Sequence, residues 1–309
     1  MEFIYNKLVA KALEPESKEE TIVYLESCLK RFLTSREQVL ICFPNEPDNF
    51  GMLIGEAVRR RGGIPRFMDD DMRWITIMKR AFMLKCNAIV APPLTVLGMA
   101  KLAKHMGMPL FARNVLVAGY PCPDWMAEGI ERGLDCRMWG CYDPGSVIVG
   151  GFSCGKSRGI HLRSDTYGMR ILGKEGHAVP DGRPGRIVLH SKTTPELCWD
   201  TGNVGCLERS ACVCGDPSPR LMGIGYAPNS DDSLTEIGEE LLHWSSILDC
   251  RLANTGHGLE IELVVFPGEK LPKIPGCAKL VVRNWCPEKD VPFSHMYVLK
   301  RRLFSEENS

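Results

Sequence analysis

Four side chains of this sequence have the types and spacing to hold a metal ion. Cys212-Val213-Cys214-Gly215 places two thiols within one turn, and the Gly that follows lets the loop curl around an ion. Upstream, Cys154 and His161 stand seven positions apart across a Gly-bearing turn. Together the four make a Cys3His set, a closed zinc geometry that leaves no water for catalysis, so its role is structural. The bland alternative is free thiols in loops, because C-x-C is less diagnostic than C-x-x-C, and Cys206 is the substitute ligand if Cys212 is not one. A second candidate is Trp139-Gly140-Cys141-Tyr142-Asp143, where a Gly behind an apolar strand lets backbone approach a ligand and a carboxylate follows. Cys122 and Cys141 at strand ends offer an acyl-thioester alternative. Cys28, Cys42, Cys86 and Cys250 lie on apolar faces and read as small core residues.

The composition bounds what those groups can serve. A chain of 309 residues with 44% hydrophobic and 25% charged residues is globular material of about two domains. Lys plus Arg equals Asp plus Glu at 38 each, so the net charge points to neither nucleic acid nor an anionic membrane. The N-terminal segment has no signal-peptide core, and no stretch approaches the roughly 20 apolar residues of a spanning helix. A cytoplasmic protein is expected. Fourteen irregularly spaced Cys argue for reduced thiols and metal binding over a disulfide framework.

The elements that must position the candidate groups follow from periodicity. Ser17-Lys18-Glu19-Glu20 is a capping box ahead of a helix, with Ile22, Leu25, Leu29 and Phe32 on one face. From Gln38 onward, continuously apolar runs alternate with helical segments: Val39 to Phe43, Ile64 to Met68, Ala88 to Ala91, Arg113 to Ala118 and Cys136 to Trp139 read as strands. Such strands predict an α/β fold with a parallel sheet covered on both faces, with ligands at the strands' carboxyl ends. After Ser146 the runs are short and the turns frequent, predicting a small attached antiparallel sheet. Residues 1–222 therefore read as one large domain, divided into a parallel unit (1–145) and the antiparallel sheet (146–222). Residues 223–232 read as a hinge, and 233–309 as a small α+β lid. The lid is expected to hold a helix from Leu234 to Leu248 and three strands at Leu259 to Phe266, Ala278 to Val282 and Met296 to Leu299.

Between Thr21 and Lys300 the chain resembles the adenylate-forming (AMP-binding) enzymes, in the phenylacetate-coenzyme A ligase-like branch. The markers are short pieces in the family's order. Gly55 to Arg59 with Gly62-Gly63-Ile64-Pro65 resembles G-A-E-R-x-G-A-x-x-x-P, and Ala118-Gly119-Tyr120-Pro121 resembles the adenine-side loop G-A-E-P. Trp139 to Asp143 resembles Y-G-x-S/T-E, Gly159 to Asp165 resembles G-L-H-I-x-x-D, and Asp200-Thr201-Gly202-Asn203 resembles the T-G-D motif. The resemblance implies a nucleotide crevice at Gly119, Tyr120, Pro121, Trp139, Gly140, Cys141, Tyr142 and Asn203, with Asn203 on the ribose. It implies acyl or adenylyl transfer on a small-molecule carboxylate or its adenylate, with AMP or ATP, magnesium and coenzyme A as cofactors. Some members of the branch carry a Cys and a His at the first metal position and C-x-C-G at the second, which implies structural zinc on Cys154, His161, Cys212 and Cys214.

The departures from the family's pattern bear on activity. Ala10 to Ser17, where the phosphate loop belongs, contains no Gly and so lacks the row of backbone amides that cradles a polyphosphate. The acid of Y-G-x-S/T-E is Asp143, the Asp of T-G-D is Asn203, and Tyr120 stands where the family has Glu. Lys300 sits near the place of the mobile catalytic Lys, without the flexible Gly before it. Asp143 and Lys300 are thus the catalytic candidates. Two readings stay open: a ligase-like protein whose ATP chemistry is impaired or completed by a second subunit carrying a phosphate loop, and a catalytically silent scaffold that binds a small ligand or partner protein. Either is compatible with a homodimer.

Overall fold

The computed structural model describes residues 18–43, 49–68, 71–144, 148–192, 198–226, 232–255, 257–274 and 277–291. The first part alternates as its apolar runs require: α1 (Lys18–Leu29), β1 (Gln38–Ile41), α2 (Phe50–Arg60), β2 (Ile64–Phe67), α3 (Trp74–Met83), β3 (Ala88–Ala91), α4 (Pro93–Met106), β4 (Asn114–Val117), α5 (Asp124–Leu134) and β5 (Arg137–Tyr142). Asn49 caps α2 by accepting from the Met52 amide, and Gly107 closes α4 in the left-handed conformation. The five strands pair in parallel in the order β2-β1-β3-β4-β5. Burial of both faces explains the apolar runs of the inner strands, whereas the edge strand β2 carries Pro65 and Arg66 and has no fully buried residue. One face packs on α1 and α2 through Leu25, Leu29, Leu53, Ile54 and Trp139, the other on α3, α4 and α5 through Trp74, Ile77, Met99 and Ile130.

The antiparallel strands extend this sheet by direct hydrogen bonding. They are β6 (Gly151–Phe152), β7 (Ile160–Leu162), β8 (Tyr167–Leu172), β9 (Gly185–Ser191), β10 (Cys198–Glu208) and β11 (Arg220–Tyr226). Cys141 and Tyr142 of β5 pair antiparallel with Phe152 and Gly151, and the sheet runs on as β6-β7-β11-β10-β9-β8 to eleven strands. The eleven-residue β10 contains a motif full of turn formers, Asp200-Thr201-Gly202-Asn203, which concealed it in the sequence. An irregularity in its pairing with β9 between Asp200 and Val204 absorbs them, with Gly202 at φ +70°.

The last part differs from expectation at one boundary. The helix α6 (Asp232–His243) stops before Ile247, which instead starts β12 (Ile247–Thr255). β12 pairs antiparallel with β13 (Gly258–Val265), which pairs parallel with β14 (Lys279–Asn284). The expected strand at Met296 to Leu299 and Lys300 lie outside the described residues, as do residues 227–231 of the expected hinge; its first four residues belong instead to β11 and its last, Asp232, opens α6. This small sheet and α6 share a continuous apolar core with α4: Leu241, Ile247, Leu252, Leu263 and Phe266 join the cluster of Met99 and Leu102. Lys101 on α4 reaches into the contact and donates to the carbonyls of Leu242, Ile247 and Trp244 at 2.6, 2.7 and 3.2 Å. Around it His105 stacks on Phe266 at 4.1 Å, and Trp125 meets His243 at 3.9 Å with the rings tilted by 33°.

Candidate metal centre and nucleotide crevice

Two hairpin connections bring the metal candidates together. Cys154 leaves β6, His161 lies on β7, and Cys212 and Cys214 sit in the turn between β10 and β11; β11 pairs with β7, which closes the set. The four ligand atoms all lie within 4.8 Å of one another, and three of the residues are buried. The Cys154 and Cys212 sulfurs are 3.7 Å apart, and Cys214 Sγ is 3.4 Å from His161 Nε2. A disulfide needs about 2.05 Å. The sulfur pair instead matches the edge of a tetrahedron built on Zn–S bonds of about 2.3 Å, roughly 3.7 Å, and the sulfur–nitrogen pair lies near the shorter edge, about 3.5 Å, that a Zn–N bond of about 2.0–2.1 Å gives.

The second layer is also in place. Each sulfur faces a backbone amide two residues on: Lys156 N to Cys154 at 3.4 Å, Cys214 N to Cys212 at 3.5 Å and Asp216 N to Cys214 at 3.4 Å. Ser157 Oγ lies 2.9 Å from Cys212 Sγ. His161 Nδ1 is 3.2 Å from the Ser218 carbonyl, an acceptor that requires the proton on Nδ1 and leaves the Nε2 lone pair facing the sulfurs. Against the upward push of burial, the Ser157 hydroxyl and the Cys214 amide bring the Cys212 thiol down to about 7. Cys154 is lowered in the same way, with burial opposed by the Lys156 amide and the Ser157 hydroxyl. The donor set therefore suits a thiophilic divalent cation. A pocket of about 270 Å³ under α1 has Cys154 and His161 in its wall.

Burial holds three thiols outside the cluster protonated. Burial pushes Cys42 and Cys122 up to about 12, and Cys141 well above its usual range. A thiol held protonated is a poor nucleophile, which counts against the thioester alternative at Cys122 and Cys141.

The nucleotide candidates divide by strand face. Side chains alternate along β5, so Trp139 and Cys141 point toward α1 and α2 while Tyr142 points the other way. Trp139 is 2% exposed, meets Phe32 edge-on at 6.0 Å and donates from Nε1 to Asn114 Oδ1 at 3.1 Å. Its indole is core, so the strand's alternation removes it from the crevice side. Gly140 also has a packing reason: a Cβ there would come within 2.8 Å of Ile160 Cδ1. Tyr142 is the residue that links the motifs, its buried hydroxyl reaching Thr201 Oγ1 and Asn203 Oδ1, each at 3.2 Å. Thr201 in turn donates to the Ile187 carbonyl at 2.9 Å and accepts from Asn203 N at 3.2 Å. Arg186 holds Asp200 at 2.6 Å. Half-buried Asp143 follows β5, and Gly119-Tyr120-Pro121 follows β4 with Gly119 at φ +86°. Ser157 and Thr201 escaped the sequence reading. Ser157 is three residues past Cys154, a spacing that could have marked it, whereas Thr201 was visible only as part of a motif.

No protein-family model matches the chain, and no curated protein matches it in sequence. Solved structures do share its fold. The open form of 2-hydroxyisobutyryl-CoA ligase in complex with 2-HIB-AMP and CoA aligns with TM-score 0.61 at 12% identity, over 80% of this chain and 59% of that one. The same ligase in the postadenylation state with R3-HIB-AMP aligns with TM-score 0.67 at 13% identity, over 93% and 72%. A benzoate CoA ligase from Burkholderia xenovorans LB400 aligns with TM-score 0.59 at 12% identity, over 92% and 65%. The chain thus spans 59% of the first of these structures and 65% of the third. At such identities the likeness is one of architecture: the chain shares the fold of these coenzyme A ligases.

Proposed function

We propose that this protein binds an acyl-adenylate, or the nucleotide and carboxylate from which one forms, on a coenzyme A ligase-like scaffold braced by structural zinc. The observation that carries this reading is the Tyr142 hydroxyl held between Thr201 and Asn203, which joins the ends of β5 and the β10 irregularity. With Oδ1 of Asn203 engaged by Tyr142, its amide NH2 is the group left to donate to a ribose hydroxyl. In this reading Gly119-Tyr120-Pro121 and the backbone at Gly140 flank the adenine, Asp143 holds magnesium, and Lys300 is the cation near the acyl phosphate. Cys154, His161, Cys212 and Cys214 hold the zinc, which fixes the loop after β6 to the turn after β10.

A triphosphate does not fit what the chain offers, because Ala10 to Ser17 lacks Gly and carries Glu14, Pro15 and Glu16. An adenylate, with one phosphate, makes a smaller demand. We therefore place the ATP-consuming step with a second subunit that supplies a phosphate loop, and the acyl transfer to coenzyme A or another thiol with this scaffold. The silent-scaffold reading has one observation in its favour, the three-carbonyl grip of Lys101 on the end of α6 and the segment after it. Calorimetric titration of the metal-analysed protein with AMP, ATP and coenzyme A tests the proposal. AMP binding that Asn203→Ala weakens supports it, and no heat with any of the three turns it to the silent scaffold.

A further inference from the structure

Arg220 is the first residue of β11 and sits opposite His161 in the β7–β11 register. It is 9% exposed. Its Nη1 donates to Ser157 Oγ at 3.3 Å and to the Arg158 carbonyl at 3.5 Å, and its Nη2 to Ser210 Oγ at 3.1 Å. All three acceptors are neutral. Among the described residues no carboxylate lies within 4.0 Å of the guanidinium; Glu208 feels its charge only from farther away. A buried guanidinium without a close counter-charge is strongly disfavoured, and the distant, solvent-facing Glu208 answers it only in part, which directs attention to a nearer buried anion.

The neighbouring metal centre supplies that charge. Three thiolates and a neutral imidazole around a divalent ion carry one net negative charge. Ser157 stands between the two partners, with its oxygen 2.9 Å from Cys212 Sγ and 3.7 Å from Cys154 Sγ. A hydroxyl has one proton and two lone pairs. Since Arg220 Nη1–H occupies a lone pair, the proton is free to point at the Cys212 thiolate. The direction of the chain is then Arg220 to Ser157 to Cys212.

We propose that Arg220 and Ser157 form an outer-sphere relay that neutralises the anionic Cys3His–metal centre and sets its affinity for a divalent cation. This rests on the metal reading of the four ligands. Both are positioning residues, since neither reaches the ion, and they act through the Cys212 sulfur.

The test measures zinc affinity by competition with a chelating dye for the wild type and for Arg220→Met, Ser157→Ala, Arg220→Lys and the double variant Arg220→Met/Ser157→Ala. Loss of an outer-sphere partner lowers metal affinity by about 10- to 100-fold. Each of the first two variants is expected in that range, Arg220→Lys to recover part of it, and the double variant to lose no more than Ser157→Ala alone, since Arg220 reaches the sulfur only through Ser157. Cobalt substitution gives a readout that packing would not move: removing the hydrogen bond to Cys212 shifts the thiolate-to-cobalt absorption band to longer wavelength in Ser157→Ala. Should Arg220→Met fail to fold, Ser157→Ala with its cobalt spectrum decides alone. A wild type with one zinc per chain and variants of unchanged affinity and spectrum would overturn the relay while leaving the metal centre standing. A wild type that binds neither zinc nor cobalt overturns both.

Discussion

Replacing Lys101 by Met removes the ammonium from the contact between α4 and the small sheet while keeping the length of the side chain. Two of its bonds, to Leu242 and Ile247, are short at 2.6 and 2.7 Å, and each charge-assisted bond contributes about 1.5–3 kcal/mol. Burial opposes them by pushing Lys101 down to about 8 from its usual 10.5, a penalty on the charged form of about 3 kcal/mol. The difference leaves a net loss of about 2 kcal/mol in Lys101→Met at neutral pH, or roughly 30-fold faster hydrogen exchange for the β12 and β13 amides that open with the contact. The pH dependence has a definite sign. Because the folded-state pKa is below the unfolded one, the unfolded chain binds more protons between about pH 8 and 10.5, so the wild type gains stability as pH rises through that window. The variant lacks this gain. Urea unfolding of both proteins at pH 7 and pH 10 should therefore show the gap between them widening at the higher pH. A gap below about 0.5 kcal/mol at both values, with unchanged exchange in β12 and β13, would refute the reasoning.

Three further outcomes are expected. Cys214→Ser should release the metal and lower the melting temperature by about 5 °C or more, as loss of a few kcal/mol does in a chain of this size; equal metal content in variant and wild type by elemental analysis would remove the centre. Tyr142→Phe should cost about 1–2 kcal/mol through the buried partners it leaves at Thr201 and Asn203, and should weaken AMP binding in calorimetry; unchanged stability would show that the link is not formed. Gly140→Ala should cost less than about 1 kcal/mol, because its Cβ would meet only the terminal Cδ1 of Ile160, which can turn aside; a selective loss of AMP binding in a stable variant would support the ligand-approach reading of that Gly.

How much of this was legible in the sequence depended on whether the physics was local. The parallel strands announced themselves because burial on both faces demands unbroken apolar runs such as Val39 to Ile41 and Ala88 to Ala91. The four metal candidates were legible from residue type, since Cys and His carry their chemistry wherever they fall, and the hairpins bring them within 4.8 Å. The long β10 was hidden because Asp200, Gly202 and Asn203 are turn formers by propensity, and the strand tolerates them only through an irregularity that pairing with β9 imposes. Trp139 misled for a related reason: the motif gave its neighbourhood, while the alternation of side chains in β5 decided its face. Lys101 and Arg220 left no sequence signal at all, and Ser157 left only its spacing from Cys154. Their partners lie up to 146 residues away, and a Lys on a helix or a Ser in a loop ordinarily meets water.

The cluster that unites α4 with the small sheet has a consequence for the protein as it is made. Met99 and Leu102 leave the ribosome long before Leu263 and Phe266, their companions in the same core. At about 5–20 residues per second, the intervening stretch takes roughly 8 to 33 s to translate. Throughout that interval the outer face of α4 is exposed and Lys101 has no carbonyls to grip, so the nascent chain carries an open apolar strip that invites association with other chains. A holdase acting early in synthesis, or slower expression at low temperature, should raise the soluble yield, whereas a fragment ending before β12 should aggregate however well its parallel strands pair.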